Sequence, residues 1–213
     1  FLIFHQLKKK NEGAVTYQFI PKNGVIVVLI ILVTIALQWG VSGPIANLIP
    51  MPEAIKVLFK SMAEKMNDGY GLVAVAVAAP LFEELIFRGI ILDGLLKRRS
   101  AISAILISSF LFGVVHLNPW QFISAMIIGI FAGWIYHRTR NLFYSILVHF
   151  VNNFSASMLM TYMGNQGIDM MEMNLTEMYG GTSNLIITII SCLAFAVCGI
   201  YIMNKKLLIE REI

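Results

Sequence analysis

The sequence predicts an all-α protein, a polytopic bundle of transmembrane helices. Apolar residues make up 58% of the 213-residue chain and charged residues only 13%, where a typical soluble domain carries about 25% charged residues. Six apolar runs approach the length of a bilayer crossing, and nearly all Lys and Arg fall between them. With a mean hydropathy of +0.76, the chain has more apolar surface than a water-soluble core of this size can hide.

A hydrocarbon layer about 30 Å thick takes roughly 20 helical residues. Runs of that order lie at 23–41, 70–92, 101–117, 120–137, 141–163 and 184–203, the third and fourth short, with Pro119 marking a sharp turn between them. Between the first two, residues 52–68 place Ile55, Leu58, Phe59, Met62 and Met66 at helical spacing, with Lys56, Lys60, Glu64 and Lys65 on the other face. That pattern predicts an amphipathic helix at the membrane interface or a lid over the bundle. Phe1 to Phe4, ahead of Lys8, Lys9 and Lys10, read as the last turn of a truncated upstream span. A signal peptide is not expected, because the basic cluster follows this apolar stub. No repeat or low-complexity stretch divides the chain, so residues 1–213 read as one membrane domain.

The basic residues set the orientation. With a cytoplasmic N-terminus, twelve Lys and Arg fall in inside segments and three (Lys56, Lys60, Lys65) outside, Arg88 alone lying within a span. The loop 164–183 holds Asp169, Glu172 and Glu177 but no Lys or Arg. Both ends are therefore expected in the cytoplasm. The formal charge of +4 is dispersed in short clusters rather than gathered in a patch, so nucleic acid is not an expected partner; the lipid bilayer is. Cys192 and Cys198, six apart in one apolar run, are about 9 Å apart along a helix and read as unpaired thiols.

Ionisable groups inside spans are costly, about 2.5–3.5 kcal/mol each on insertion scales, and point to function. The second span contains Pro80-Leu81-Phe82-Glu83-Glu84-Leu85-Ile86-Phe87-Arg88. Glu84 and Arg88, four apart, suit an ion pair; Glu83, rotated about 100° away, needs another partner. Pro80 removes a backbone donor, which kinks the helix or frees a carbonyl toward the site. The third span ends at Phe112-Gly113-Val114-Val115-His116, and the fifth carries His149-Phe150-Val151-Asn152-Asn153. Two imidazoles and a carboxylate serve equally as zinc ligands or as a water-activating set with Glu as general base. At 1.5 Å per residue, Glu83 and His149 lie about 13–20 Å from the cytoplasmic basic clusters and His116 about 25 Å from Arg99. Bringing them level needs a tilt, a kink at Pro80 or a third helix that starts deeper.

Glu83-Glu84-Leu85-Ile86-Phe87-Arg88 fits EExxxR, Phe112 to His116 fits FxxxH, and His149 to Asn153 fits HxxxN. In this order, on separate apolar spans, they resemble the CPBP family of intramembrane proteases, which includes type II CAAX prenyl endopeptidases, bacteriocin-processing and abortive-infection proteins. The resemblance covers about 70–205, the expected protease core. It implies a helical bundle that cuts a peptide bond of a membrane-associated protein or peptide, here in a bacterial plasma membrane. Carried over, Glu83 activates water and His116 shares that water or a metal. His149 and Asn153 polarise the scissile carbonyl, and Glu84, paired with Arg88, orients the first carboxylate. Phe112 is expected to pack. Zinc is an open cofactor, with His116, His149 and Glu83 as candidate ligands, although no HExxH is present.

Two other readings use the same residues. A metal or proton transporter would show internal repeats or paired broken helices, and neither is visible. A catalytically idle immunity or scaffold member would not need the full motif set.

Overall fold

A computed structural model describes residues 6, 9–10, 17–66 and 69–212; the stub Phe1 to Phe4 lies outside them. The described chain is helical: α1 (Gly24–Asn47), α2 (Glu53–Met66), α3 (Tyr70–Leu96), α4 (Ala101–Val114), α5 (Pro119–Thr139), α6 (Leu142–Asn165), the single turn α7 (Leu175–Met178) and α8 (Thr182–Glu212).

Five of these helices, not six, have the length and composition to cross a bilayer: α1, α3, α5, α6 and Thr182–Leu207 of α8. The expected third span, 101–117, is helical only over Ala101–Val114, about 21 Å at 1.5 Å per residue. Val115 and His116 form a turn, and Leu117 takes a left-handed φ of 57°. Asn118 then caps α5 by accepting from Gln121 N, with Pro119 in the first turn, where its missing N–H costs nothing. Apolar residues continue through the turn, so hydropathy alone does not register the break.

Two prolines shape the long helices by the same rule. Residues Gln38–Ser42 of α1 and Ala74–Ala78 of α3 are π-helical, each stretch beginning six residues before a proline, Pro44 or Pro80. The N–H of Gly43 reaches back to Gln38 O, and that of Ala79 to Ala74 O. The next bond of each series would come from the proline nitrogen, which has no proton. Trp39 O and Val75 O are thereby released, and a side chain takes each: Tyr179 OH donates to Trp39 O, and Asn153 Nδ2 donates to Val75 O at 3.0 Å. A third π-helical stretch, Phe87–Leu92, has Ser108 Oγ donating to Phe87 O at 3.0 Å.

One apolar core joins Ile26, Ile30 and Val33 of α1 to Ile128 and Ile135 of α5, Val148 of α6 and Met203 of α8. A second joins Leu85 and Leu92 of α3 to Ile105 of α4, Tyr136 of α5 and Leu142 of α6. α1 and α8 approach closely: a Cβ at Gly40 would lie 2.2 Å from Cys192 Cβ. Cys192 and Cys198 are free thiols. Val25, Val28 and Leu32 on α1 and Ile186, Ile187 and Ile190 on α8 stay exposed, the outward apolar surface that a lipid-surrounded bundle presents. The chain is an integral membrane protein.

α2 is tied down by charge. Lys60 Nζ lies 2.6 Å from Asp169 and 3.0 Å from Glu172, and Lys56 Nζ lies 3.0 Å from Glu172. The hydrogen bond to Asp169 holds the Lys60 ammonium above the ordinary lysine range, and that to Glu172 does so for Lys56. Reciprocally, Lys60 depresses Asp169 and Lys56 depresses Glu172. The polar face expected to meet headgroups or water thus meets the acidic loop before α7.

Candidate active site

Glu84 and Arg88 on α3 are wholly buried, and Arg88 Nη1 donates to Glu84 Oε1 at 2.7 Å. A guanidinium buried away from water needs further acceptors, and its Nη2 reaches Gly129 O on α5 at 2.9 Å. Gly129 makes that approach possible: a Cβ there would sit 3.1 Å from Arg88 Nη2 and 3.3 Å from Phe112 Cδ1. The guanidinium also lies 4.7 Å above the Phe112 ring, a cation–π contact.

The same Glu84 oxygen lies 3.2 Å from His149 Nδ1. As the carboxylate partner of Arg88, Glu84 only accepts, so His149 Nδ1 carries a proton, and in the neutral ring Nε2 presents its lone pair. That lone pair faces Glu83 Oε2 at 3.9 Å. Glu83 Oε2 is itself buried with no hydrogen-bond partner among the described residues. Two acceptors cannot bond to each other, so this gap calls for a group that donates to both.

His116, in the turn after α4, places Nδ1 2.8 Å from Phe112 O. A carbonyl accepts only, so Nδ1 is again the protonated nitrogen and Nε2 the free one. Phe112 links the two imidazoles, its ring centroid 5.2 Å from that of His116 and 5.2 Å from that of His149, edge-on to both. The short α4 carries the chain from Phe112 directly into the turn, so His116 lines the same cavity as His149 without the tilt that straight spans seemed to require.

That cavity, about 300 Å³, is walled by His116 and His149, Gln38 of α1, Asn152 and Asn153 of α6, and roofed by Phe59 and Met62 of α2. Glu83, about a third exposed, is not part of its wall. Asn153 is partly engaged within the protein. Its Nδ2 is engaged with Val75 O and its Oδ1 accepts from Asn152 Nδ2 at 3.2 Å, so one amide proton at most is free. Glu84 likewise does more than pair with Arg88, because it fixes the His149 tautomer.

The candidate metal ligands do not gather. Among the described residues no three His, Cys, Asp or Glu side chains form a metal-binding group, and His116 makes no third donor beside His149 Nε2 and Glu83 Oε2. The arrangement does not fit a metal held by all three.

Gln38, Asn152 and Gly129 were not singled out by the sequence. A glutamine six residues ahead of Pro44, in the π-helical register that Ala74 shares with Pro80, was the available signal for the first. Nothing in the sequence marked Gly129.

Fold and site together define a helical membrane protein with a buried carboxylate–histidine–arginine cluster beside a roofed cavity. Residues 67–155 match the family described as "Type II CAAX prenyl endopeptidase Rce1-like", a segment that contains all three motifs. YdiL of Bacillus subtilis (strain 168), provisionally named a membrane peptidase, is 30% identical over 82 residues, 38% of this chain and 34% of its own. UPF0177 protein YxdF of Lactococcus lactis subsp. lactis (strain IL1403) is 34% identical over 85 residues, 39% of this chain and 46% of its own. The matches thus span between about a third and a half of these curated relatives. No solved structure gives a significant match. These similarities, confined to that part of the chain, agree with the family resemblance that the three motifs carry.

Proposed function

We propose that the chain is an intramembrane endopeptidase that hydrolyses a peptide bond of a membrane-associated peptide or protein with water activated by Glu83 and His149. The facing acceptors, Glu83 Oε2 and His149 Nε2 at 3.9 Å, carry this reading. A water donating one proton to each turns its oxygen lone pair toward a substrate carbonyl, and Glu83 takes the proton as attack proceeds. Glu84 supports the step by accepting from His149 Nδ1–H, which fixes the ring orientation and turns Nε2 toward Glu83. Arg88 in turn stabilises the charge on Glu84.

This assigns His149 to the water rather than to the developing oxyanion, because a lone-pair nitrogen cannot donate to an oxygen anion. Glu83 then returns the proton it took from water to the leaving amine, with His116 Nε2, an acceptor because Nδ1 faces Phe112 O, as the relay. The remaining Nδ2–H of Asn153 is the donor nearest in role to an oxyanion contact. Phe59 and Met62 add apolar side chains to the cavity beside this water. Extending the activity to the whole protein, with both chain ends in the cytoplasm and in a bacterial plasma membrane, belongs to the same proposal.

The test is cleavage of a reporter library of membrane-anchored peptides in proteoliposomes. Glu83→Ala and His116→Ala are each expected to abolish cleavage while the protein still inserts. Full proteolysis by the purified Glu83→Ala variant rejects the mechanism. Glu83-dependent ion flux without proteolysis favours a transporter instead.

A further inference from the structure

The cavity wall contributed by α1 and α6 holds two polar groups that the proposed chemistry does not use. Their orientations follow from fixed partners. Val75 O, released by Pro80, can only accept, so the group facing it at 3.0 Å is the Asn153 amide nitrogen. Asn153 Oδ1 is then an acceptor, and the atom 3.2 Å from it is Asn152 Nδ2. That leaves Asn152 Oδ1 as an acceptor, buried and with no partner among the described residues. The proline thus determines, through two carboxamides, which way Asn152 points.

Gln38 is settled by distance. It is buried, 7% exposed, and its carboxamide lies 2.6 Å from Ser155 Oγ. That separation is ordinary for O–H···O and short for N–H···O, and it is shorter than the 3.2 Å to Asn152 O, the other acceptor facing this hydroxyl, so Ser155 donates to Gln38 Oε1. Gln38 Nε2 is left with two protons and no partner among the described residues. Gln38 and Asn152 line the same cavity as His116 and His149. One unspent donor and one unspent acceptor in a single wall complement the C=O and N–H of a peptide group. Gln38 also lies outside residues 67–155, the segment that matches the family.

We propose that Gln38 and Asn152 bind the substrate as an extended peptide, Gln38 Nε2 donating to a backbone carbonyl and Asn152 Oδ1 accepting from a backbone N–H. The inference rests on the endopeptidase reading for its ligand class and adds the recognition of main chain rather than side chain. Both are positioning residues: they hold the peptide and take no proton in the reaction.

The test uses the purified full chain in detergent and a fluorescent hexapeptide of alternating Leu and Val, with a twin N-methylated at alternate peptide bonds. Fluorescence anisotropy measures binding. The parent peptide should bind wild type on the order of fivefold to tenfold tighter than it binds Gln38→Leu or Asn152→Leu. N-methylation should cost wild type a similar factor and cost Asn152→Leu nothing. Ser155→Ala removes the Gln38 contact but keeps the Gln38 donors, and should bind nearly as wild type; a merely structural role for Gln38 would make it bind as poorly as Gln38→Leu. Where Gln38→Leu fails to fold, Gln38→Glu keeps the Ser155 acceptor and removes the donors, and should show the same loss. Equal binding of the two peptides by wild type, or no binding at all, overturns the inference. N–H-dependent binding without cleavage keeps the wall and removes the endopeptidase reading. Cleavage with an unchanged KM in Asn152→Leu does the reverse.

Discussion

Asn153 Nδ2 donates to Val75 O at 3.0 Å, the carbonyl that the proline at position 80 leaves without a backbone donor. A residue of the HxxxN motif therefore repairs a helix defect built into the segment just ahead of EExxxR. Asn153→Ala strands a carbonyl in apolar surroundings and should cost about 1–3 kcal/mol. In Pro80→Ala/Asn153→Ala the restored N–H takes Val75 O, so the double variant should be more stable than Asn153→Ala alone. A double-mutant cycle followed by denaturant unfolding in detergent measures the coupling; additive losses would show that the two residues act separately.

The buried triad Arg88, Glu84 and His149 makes a second prediction. Removing one member of a buried ion pair leaves an unpaired charge and costs about 3–5 kcal/mol. Arg88→Ala should therefore lower the amount of folded protein in the membrane sharply, read by detergent-resistant yield. Glu84→Gln can still accept from His149 Nδ1 but no longer carries the charge. It should insert and should lose about 10–100-fold in peptide cleavage, as outer-shell partners of a reactive imidazole do. Cleavage at the wild-type rate would show that Glu84 is structural only.

Gly129 is the third. Its Cβ position lies 3.1 Å from Arg88 Nη2, 3.2 Å from Ser109 Cβ and 3.3 Å from Phe112 Cδ1. Gly129→Ala presses on all three at once, and overpacking of this kind typically costs about 1–3 kcal/mol. Because Arg88 would shift from Gly129 O, activity should fall further than stability. Thermal unfolding and cleavage measured on the same preparation separate the two effects.

Much of this was legible in the sequence, because a bilayer imposes long apolar runs and confines basic residues between them. The motif residues stood out as costly charges, and the Glu84–Arg88 spacing follows from helix periodicity. The freed carbonyl upstream of Pro80 was also foreseeable, but not that Asn153 takes it, since that depends on how α6 docks on α3. The end of α4 was not legible: Val114-Val115 is as apolar in a turn as in a helix, and Leu117 gives no sign that it adopts a positive φ. Lys56 and Lys60 read as headgroup or solvent contacts because their partners, Asp169 and Glu172, lie more than a hundred residues away.

That ionic clasp gives the last prediction. Asp169 and Glu172 are held below the ordinary carboxylate range by Lys60 and Lys56, and both lysines are held above theirs by the same contacts. A depressed carboxylate contributes stability above its unfolded pKa of about 4 and loses it as pH falls through the folded value. A raised lysine contributes below about 10.4 and loses its share as pH rises through the folded value. The clasp should therefore hold α2 fully between about pH 5 and pH 10 and release it on either side. These are exposed pairs, so salt should weaken them as well. Phe59 and Met62 of α2 roof the cavity, and release of the helix should open it. A cysteine placed at Ala125, buried in the wall of that cavity, should react slowly with a water-soluble maleimide at pH 7 and low salt. It should react several-fold faster at 1 M salt, or after Lys60→Glu, which sets like charges against Asp169 and Glu172. Restoring the pair with Asp169→Lys in the Lys60→Glu background, which leaves Glu172 to Lys56, should slow the reaction again. Labelling that ignores salt and both charge exchanges would show that apolar packing alone holds the roof.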